Sequence, residues 1–544
     1  MTSHRFVAAV LSVAILFLAP ASRPARAQRQ TDQAPKLVVI IAVDQMRADY
    51  LTRYGAPWKG GLKRLMTEGA WFTDAAYPYL NTITCAGHAT IGSGRFPYHT
   101  GIVLNAWFDR ESGKSMECTY DPDASTIAVG GKAQRGDSAR QLVGSAFGDA
   151  IKDAGGNVVT ISMKARAAIM LAGHHPTAAV WYLGSGTFGT STAIAGDVPQ
   201  FVSRTLASDP VDNDRAAGWT KLLPESDYQG PDDGVGERAP AGWTTSFPHA
   251  FTDRFYDQWQ QSPFADAYLE RLAEAAIDQY KLGRGNKVDY FGVSFSALDS
   301  VGHSFGPDSH EVQDTLARLD LTVGKLLDRL DDRVGKGKYV LALTSDHGVA
   351  PIPEQERAKG EDAGRITTGD IVKDVDAALV PLVGPAPHVR AIAFTDLYFR
   401  PASWDKLRKN QPALKAAINA IQKHEGIERV LVSTDLIEID PKDPVQRAAA
   451  MSYYQGRSGD LIIVPKKYWM VAADGTTHGT LHEYDRRVPV IFYGAGVAAG
   501  RRTDPSSPAD VSVTLARFAR VMFEGDGHPL NVAGSAQPAV GSRQ

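Results

Sequence analysis

Short runs of consecutive hydrophobic residues alternate along the chain with longer segments in which hydrophobic residues recur every three or four positions. The short runs are typical of strands buried on both faces, as in a parallel sheet, and the longer segments are typical of amphipathic helices. The predicted strands are Leu37–Val43, Val158–Ser162, Tyr290–Phe295, Tyr339–Thr344 and Val488–Tyr493. The predicted helices are Gly61–Glu68, Gln141–Asp153, Ala265–Lys281 and Glu311–Leu330.

This alternation predicts an α/β fold in which a mostly parallel central sheet is flanked by helices and joined by right-handed crossovers. Two stretches interrupt the alternation, at about residues 184–260 and 350–458, and the first is rich in Gly, Pro, Asp and Thr. Because both stretches lie between predicted core strands, we expect them to be insertions that cap a site. Functional side chains in such folds gather beyond the carboxyl ends of the strands.

The first 27 residues have the pattern of a secretory signal peptide. Arg5 precedes an apolar stretch, Phe6–Leu18, which is shorter than the roughly 20 residues that span a bilayer. Ala25-Arg26-Ala27 then matches the small-x-small cleavage pattern. We therefore predict cleavage near Ala27-Gln28, no membrane anchor afterwards, and a periplasmic or secreted catalytic domain over residues 28–544.

Composition and charge narrow the classes of function. Hydrophobic residues make up 43% of the chain and charged residues 22%, which is ordinary for a soluble enzyme. Without residues 1–27 the chain carries 55 basic and 61 acidic side chains, and its basic runs are no longer than pairs such as Arg486-Arg487. This balance argues against a nucleic-acid-binding surface, because such surfaces need clustered Lys and Arg.

The chain has two cysteines, Cys85 and Cys118. An exported protein enters an oxidising compartment, where the two thiols can form a disulfide. Two buried free thiols are equally compatible with the sequence, because spacing along the chain does not determine the geometry that a disulfide requires.

Carboxylate and imidazole side chains lie at the ends of the predicted strands or just before the last one. Six of them are Asp44, Asp299, His303, Asp346, His347 and His478. Six ligands of these two types are sufficient for two zinc ions. A single Asp after a strand is more often a turn or capping residue, so this prediction depends on the joint pattern.

A candidate nucleophile, Thr84, lies in the segment 81–90. It precedes a stretch that can begin a helix, where backbone N–H groups and the helix dipole favour a bound anion. Taken alone, a helix-capping role explains Thr84 better than a catalytic one.

Seven motifs in chain order resemble those of the alkaline phosphatase superfamily, in particular its single-chain bacterial phosphatases related to nucleotide pyrophosphatase/phosphodiesterases. The motifs are Val43-Asp44-Gln45-Met46-Arg47, Thr84-Cys85-x-Gly87-His88, Gly101-Ile102 with Asn105-x-Trp107, Lys164-x-Arg166, Asp299-x-x-Gly302-His303, Asp346-His347-Gly348 and Thr477-His478-Gly479. They extend over most of the chain that follows the predicted signal peptide.

The resemblance implies roles for the candidate metal ligands. One zinc ion would be bound by Asp299, His303 and His478. The other would be bound by Asp44, Asp346 and His347, with the oxygen of Thr84 completing that site. Thr84 would be the nucleophile that is transiently phosphorylated. His478 is preferred over His482 as a ligand because of its His-Gly context, and His88 is expected to serve structure near the nucleophile.

The resemblance also implies a substrate class. In the monoesterase branch Asn105, Lys164 and Arg166 would bind the phosphoryl group, whereas the diesterase branch typically lacks the Lys-x-Arg pair. We therefore expect a phosphate monoesterase, an alkaline phosphatase, that acts on small-molecule phosphate esters. A phosphodiesterase or nucleotide pyrophosphatase on the same scaffold is the alternative, and a non-catalytic secreted zinc-binding protein is less favoured. A sulfatase is disfavoured because Cys85 does not begin the Cys-x-Pro-x-Arg pattern of that group.

Overall fold

The computed structural model describes residues 34–131, 134–437 and 442–533, so the predicted signal peptide lies outside the described residues. Within them, eleven strands form one central sheet. In chain order these strands are β1 (Leu37–Val43), β2 (Ala70–Phe72), β3 (Tyr120–Ala128), β4 (Gln134–Asp137), β5 (Val158–Ser162), β6 (Ala178–Gly184), β7 (Thr187–Ser191), β8 (Asp289–Phe295), β9 (Tyr339–Thr344), β10 (Val490–Gly494) and β11 (Gly500–Arg502).

The spatial order of the sheet is β11-β2-β10-β9-β1-β8-β5-β6-β7-β3-β4. The five strands from β9 to β6 in this order are parallel to one another, which confirms the predicted mostly parallel sheet. Strand β10, by contrast, runs antiparallel to β9, so the parallel direction suggested for the fifth predicted strand was wrong. A run of hydrophobic residues indicates that a strand is buried but carries no information about its direction.

The two faces of the sheet bury separate hydrophobic cores, because successive side chains of a strand point to opposite faces. Leu37, Val39 and Ile41 pack into one core, which helices 263–279 and 310–330 cover. Val38 and Ile40 pack into the other, which helices 147–153 and 509–519 cover. Burial on both faces explains why β1 is hydrophobic at every position.

Each of the four predicted helices has a counterpart among the α-helices of the described chain, most of which were not predicted. They are Tyr50–Arg53, Gly61–Glu68, Thr84–Ser93, Pro97–Thr100, Phe147–Asp153, Ala165–Ala172, Gln200–Ser208, Phe255–Trp259, Pro263–Gln279, Ala297–Phe305, His310–Leu330, Pro353–Ala358, Thr368–Val383, Pro401–Leu407, Gln411–Gln422, Pro444–Ser452, Glu483–Arg486 and Ala509–Ala519. The predicted helix 141–153 begins only at Phe147. Gly144 has a φ of 79°, outside the helical region, and the Asp149 carboxylate caps the helix by accepting a hydrogen bond from Ala146 N at 2.8 Å.

The stretch 350–458 contributes most of a second, four-stranded antiparallel sheet with its own hydrophobic core. Its strands, in spatial order, are Val389–Ala393, Asp396–Phe399, Leu461–Pro465 and Ile427–Val432. The turn between the first two strands holds Phe394, which has a φ of 55°. Two further two-stranded ladders pair Ala106–Asp109 with Lys114–Glu117 and Gly364–Arg365 with Trp469–Met470. The stretch 184–260 supplies β7 to the central sheet and consists mainly of loops after it.

Cys85 and Cys118 form a disulfide across 33 residues of chain, which decides between the two alternatives that the sequence left open. Both cysteines are buried. The bond joins the helix that begins at Thr84 to the segment that follows the strand Lys114–Glu117.

We predict that Cys118→Ala lowers the melting temperature of the protein, because closing a loop of this length stabilises a fold by about 3–4 kcal/mol through the entropy of the unfolded chain. Differential scanning calorimetry with and without dithiothreitol checks this. Reductant should lower the melting temperature of the wild type and leave that of Cys118→Ala unchanged. A wild type that melts at the same temperature in both conditions would contradict the prediction.

Candidate active site

The six predicted ligand side chains converge at one edge of the central sheet. Asp44 directly follows β1, and Asp346 and His347 follow β9. Helix 297–305, which comes after β8, carries Asp299 and His303. His478 lies in the loop between Met470 and helix 483–486, which leads into β10. Because β10 runs antiparallel to β9, that loop reaches the same edge as the carboxyl ends of the parallel strands.

Asp299, His303 and His478 form one candidate metal group. Nε2 of His303 lies 3.2 Å from Oδ1 of Asp299, and Nε2 of His478 lies 3.8 Å from the same oxygen. Ligand atoms that bind one zinc ion at about 2 Å are separated by up to about 4 Å. The three side chains are therefore spaced to share a cation.

The second group forms around His347. Its Nε2 lies 3.4 Å from Oδ1 of Asp44 and 3.3 Å from Oδ2 of Asp346. The ligand atoms of Asp44, His347 and Asp299 also lie within 4.8 Å of one another, so Asp299 borders both groups. Asp44 Oδ1 is buried and accepts no hydrogen bond. Oδ2 of Asp346 is also buried, and Nδ1 of His88 lies 3.1 Å from it. A buried carboxylate oxygen without a donor needs a compensating cation, and Asp44 Oδ1 fits a metal ion.

The three histidines are held in the tautomer that binds a metal through Nε2. Nδ1 of each donates a hydrogen bond to a backbone carbonyl oxygen, at 2.8 Å for His303 and 2.9 Å for His347 and His478. Such a partner fixes the orientation of the ring and leaves Nε2 as the basic nitrogen. Burial lowers the pKa of both His347 and His478, which favours their neutral, metal-binding form.

Lys164 supplies the positive charge that faces the carboxylates. Its ammonium group, with a side chain only 15% exposed, contacts Oδ2 of both Asp44 and Asp299. Burial raises the pKa of Asp299, but Lys164 and His303 more than offset this and hold that pKa well below its usual range. The pKa of Asp44 is raised by burial and by the negative charges of Asp299 and Asp346. One ammonium group thus leaves part of the buried negative charge uncompensated.

Thr84 is the first residue of helix 84–93 and is only 2% exposed. Its Oγ1 lies 3.4 Å from Nε2 of His347. Ile83 occupies the capping position of this helix and its side chain makes no capping hydrogen bond. The capping explanation for Thr84 is therefore wrong, and its hydroxyl is directed to the second metal group.

The helix of Thr84 packs tightly against the segment after β9. A Cβ atom on Gly87 would lie 2.2 Å from the carbonyl oxygen of Asp346, so only glycine permits this approach. Nδ1 of His88 lies 2.9 Å from the carbonyl oxygen of Thr84 and 3.1 Å from Oδ2 of Asp346. Nε2 of His88 lies 2.8 Å from Oγ of Ser294. These contacts give His88 the structural position near the nucleophile that the resemblance implied.

A pocket of about 210 Å³ opens beside Thr84. Among its lining residues are two of the predicted phosphoryl-binding residues, Asn105 and Arg166. Asn105 Oδ1 accepts a hydrogen bond from the backbone N–H of Cys85 at 2.8 Å, which leaves the Asn105 amide nitrogen as a donor. Nε of Arg166 is buried without a hydrogen-bond partner. The third such residue, Lys164, contacts the carboxylates of Asp44 and Asp299. The pocket therefore combines anion donors with Thr84 and with the first metal group, Asp299, His303 and His478.

Two residues at the site were not assigned roles from the sequence. Nε2 of Gln45 donates a hydrogen bond to Oδ1 of Asp299 at 2.8 Å, and its backbone N–H donates to Oδ1 of Asp346 at 3.1 Å. Gln45 therefore orients one carboxylate of each metal group, and its place directly after Asp44 was the available signal. Phe394, in the turn of the second sheet, lines the pocket and has no motif around it.

Residues 38–485 match the family described as Type I phosphodiesterase / nucleotide pyrophosphatase. Alkaline phosphatase PafA of Elizabethkingia meningoseptica is 31% identical over 504 residues, which cover 90% of this chain and 92% of that protein. Alkaline phosphatase PhoV of Synechococcus elongatus is 30% identical over 535 residues, which cover 94% of this chain and 96% of that protein.

The crystal structure of PafA is similar to this chain with a TM-score of 0.86 at 30% identity, covering 92% of this chain and 99% of the other. This likeness covers most of the chain and supports the α/β fold described above. A mutant structure of PafA carries replacements of a threonine, an asparagine, a lysine and an arginine, in that chain order. Thr84, Asn105, Lys164 and Arg166 have the same types and the same order here.

We predict that Gly87→Ala lowers both catalytic activity and metal content, because the added Cβ would push the helix of Thr84 away from Asp346. Gly369→Ala is the matched control, since Gly369 also lies in a helix and has no atom within 4 Å of the added Cβ. Activity assays and elemental analysis of both variants check this. If Gly87→Ala retained the activity and metal content of the control, the close approach of Gly87 to the backbone of Asp346 would not be required for function.

Proposed function

The chain belongs to the type I phosphodiesterase / nucleotide pyrophosphatase family, and we propose that it is an alkaline phosphatase that hydrolyses phosphate monoesters through a phosphothreonine at Thr84. The observation that carries the proposal is the convergence of Thr84, the Asn105 and Arg166 donors and the carboxylate–imidazole group of Asp299, His303 and His478 at one pocket. The second such group adjoins it, since Nε2 of His347 lies 3.4 Å from the Thr84 hydroxyl. Relatives that are similar over most of the chain bear the name alkaline phosphatase, which favours this activity over phosphodiester hydrolysis.

We propose two zinc ions as the cofactor. Asp299, His303 and His478 would hold one ion, and the other would lie between Asp44, Asp346, His347 and the Thr84 hydroxyl. The buried Asp44 oxygen without a hydrogen bond supports this assignment, and so do the Nε2 atoms of the three histidines, which stay basic because Nδ1 of each ring donates to a backbone carbonyl. Zinc bound there would lower the pKa of a neighbouring hydroxyl group and stabilise negative charge on the attacking and leaving oxygens.

The protein side chains then have distinct tasks. Thr84 Oγ1 forms a bond to phosphorus while the bond between phosphorus and the leaving-group oxygen breaks, which gives phosphothreonine and an alcohol. The N-terminus of helix 84–93 favours the negative charge of the phosphoryl group. Asn105 and Arg166 donate hydrogen bonds to its non-bridging oxygens. Water subsequently breaks the bond between phosphorus and Thr84 and releases inorganic phosphate.

We also propose where the protein acts and on which substrates. The pattern of residues 1–27 supports export to the periplasm or the medium, and small-molecule phosphate esters are the proposed substrates. Among the described residues, no helix is both long and apolar enough to cross a membrane.

Thr84→Ala is expected to reduce phosphate monoester turnover by several orders of magnitude, because it removes the nucleophile while leaving the carboxylate and imidazole ligands in place. Thr90→Ala is the control, since this buried threonine lies in the same helix and its hydroxyl contacts Tyr79 at 3.2 Å. Rapid-quench mass spectrometry should trap phosphate on residue 84 of the wild type. Phosphate on Thr82 or Thr90, or a Thr84→Ala rate within about tenfold of the wild type, would exclude this nucleophile.

The choice between monoester and diester depends on the cationic donors. A monoester dianion presents three non-bridging oxygens, whereas a diester presents two and a second bulky substituent. The double variant Lys164→Ala/Arg166→Ala should therefore lose monoester kcat/KM by orders of magnitude and lose far less diester kcat/KM. Arg408→Ala, at an exposed arginine paired with Asp405, is the control.

Steady-state assays with an aryl phosphate and its methyl ester measure both activities. The wild type should prefer the monoester by orders of magnitude. A wild-type preference for the diester, or an equal loss of both activities in the double variant, would favour a phosphodiesterase or nucleotide pyrophosphatase instead.

A further inference from the structure

A second cavity, of about 810 Å³, shares no lining residue with the pocket beside Thr84. It lies between the loop after β1, the strand β2, the segment around Tyr468, helix 483–486 and the end of β11. Its volume falls within the range of about 300–1,000 Å³ that small-molecule sites occupy. None of the residues assigned to phosphoester hydrolysis contributes to its walls.

The walls of this cavity carry more positive than negative charge. Four basic side chains, Arg47, Lys467, Arg487 and Arg501, face two acidic ones, Asp49 and Glu483. Arg47 is paired with Asp49 at 2.8 Å, and Arg487 is paired with Glu483. Lys467 and Arg501 form no ion pair with any residue of the described chain. Two cationic groups at the cavity are therefore available to an anion.

Aromatic rings lie directly beside these two cations. Cζ of Arg501 lies 4.8 Å from the ring centroid of Trp71, and Nζ of Lys467 lies 4.3 Å from that of Tyr468. The ring of Tyr468 is stacked on that of Tyr484 at 5.8 Å and 18°. Tyr468 has a φ of 64°, a conformation that a bulky side chain rarely adopts and that tends to occur at ligand sites.

We propose that this cavity binds an aromatic phosphate, a planar ring that carries a phosphate group, as in a mononucleotide. The phosphate group lies against Arg501 and Lys467, and the ring packs against the aromatic wall that Tyr468 and Tyr484 form. Thr503 adds a hydroxyl group to the cavity wall, and the hydroxyls of Thr52 and Thr73, which donate to the carbonyl oxygens of Asp49 and Arg502, can accept hydrogen bonds from the ring. The site is separate from the hydrolytic pocket, and only the expected binding of a second equivalent at that pocket in the wild type rests on the proposed function.

Isothermal titration calorimetry with the non-hydrolysable phosphonate analogue of AMP tests the proposal on the full zinc-loaded protein. The experiment uses the background Lys164→Ala/Arg166→Ala, in which anion binding at the hydrolytic pocket is weakened. The wild type should bind two equivalents of the analogue, and the Lys164→Ala/Arg166→Ala background should bind one. Adding Lys467→Glu and Arg501→Glu to the background should weaken the remaining site at least tenfold. Adding Arg517→Glu to the background, at an exposed arginine outside the cavity, should leave the affinity of the remaining site for the analogue unchanged.

Adenosine alone and inorganic phosphate alone distinguish the two halves of the ligand, and each should bind at least tenfold more weakly than the analogue. Thermal melting checks that the charge-reversal variant folds, and Lys467→Gln/Arg501→Gln replaces it if it does not. The proposal is overturned if the background binds no analogue or if the charge-reversal variant binds it as tightly as the background does. It is also overturned if phosphate alone binds as tightly as the analogue, which would indicate a simple anion site.

Discussion

The concentration of negative charge at the carboxyl edge of the central sheet is the constraint on which the site depends. Asp44, Asp299 and Asp346 are buried side by side, and removing one carboxylate from water costs several kcal/mol unless it is paired. Lys164 compensates part of this charge through Asp44 and Asp299. The remaining charge accounts for the three Nε2 atoms directed at the same region, since neutral imidazoles and carboxylates together are suited to a divalent cation.

The fold fixes the positions of these groups relative to one another. Parallel strands β1, β8 and β9 end side by side, so the pairing of the strands alone places the residues that follow them close together. The antiparallel direction of β10 brings the loop of His478 to the same edge. Gly87 allows the helix of Thr84 to contact the backbone of Asp346, and the disulfide and Asn105 hold the beginning of that helix from the other side. The nucleophile is consequently positioned against the charge cluster by backbone packing at Gly87 together with the disulfide and the Asn105 hydrogen bond.

Much of this arrangement could be predicted from the sequence, because it depends on local patterns. The bounds of β1, β5 and β9 are those predicted from hydrophobic runs, and the ligand candidates were found by their places next to strand ends. The direction of β10 and the late start of helix 147–153 could not be predicted, since one depends on the neighbouring strand and the other on the backbone at Gly144. Phe394 reaches the pocket through a turn of a different sheet, a tertiary contact that no local pattern encodes.

The most direct test of the charge-compensation account is crystallographic anomalous scattering at the zinc absorption edge, combined with elemental analysis of the same protein. The account predicts two zinc peaks, one bound by Asp299, His303 and His478 and the other by Asp44, Asp346 and His347. A single peak, or two peaks of which neither involves Asp44 or neither involves His478, would contradict it.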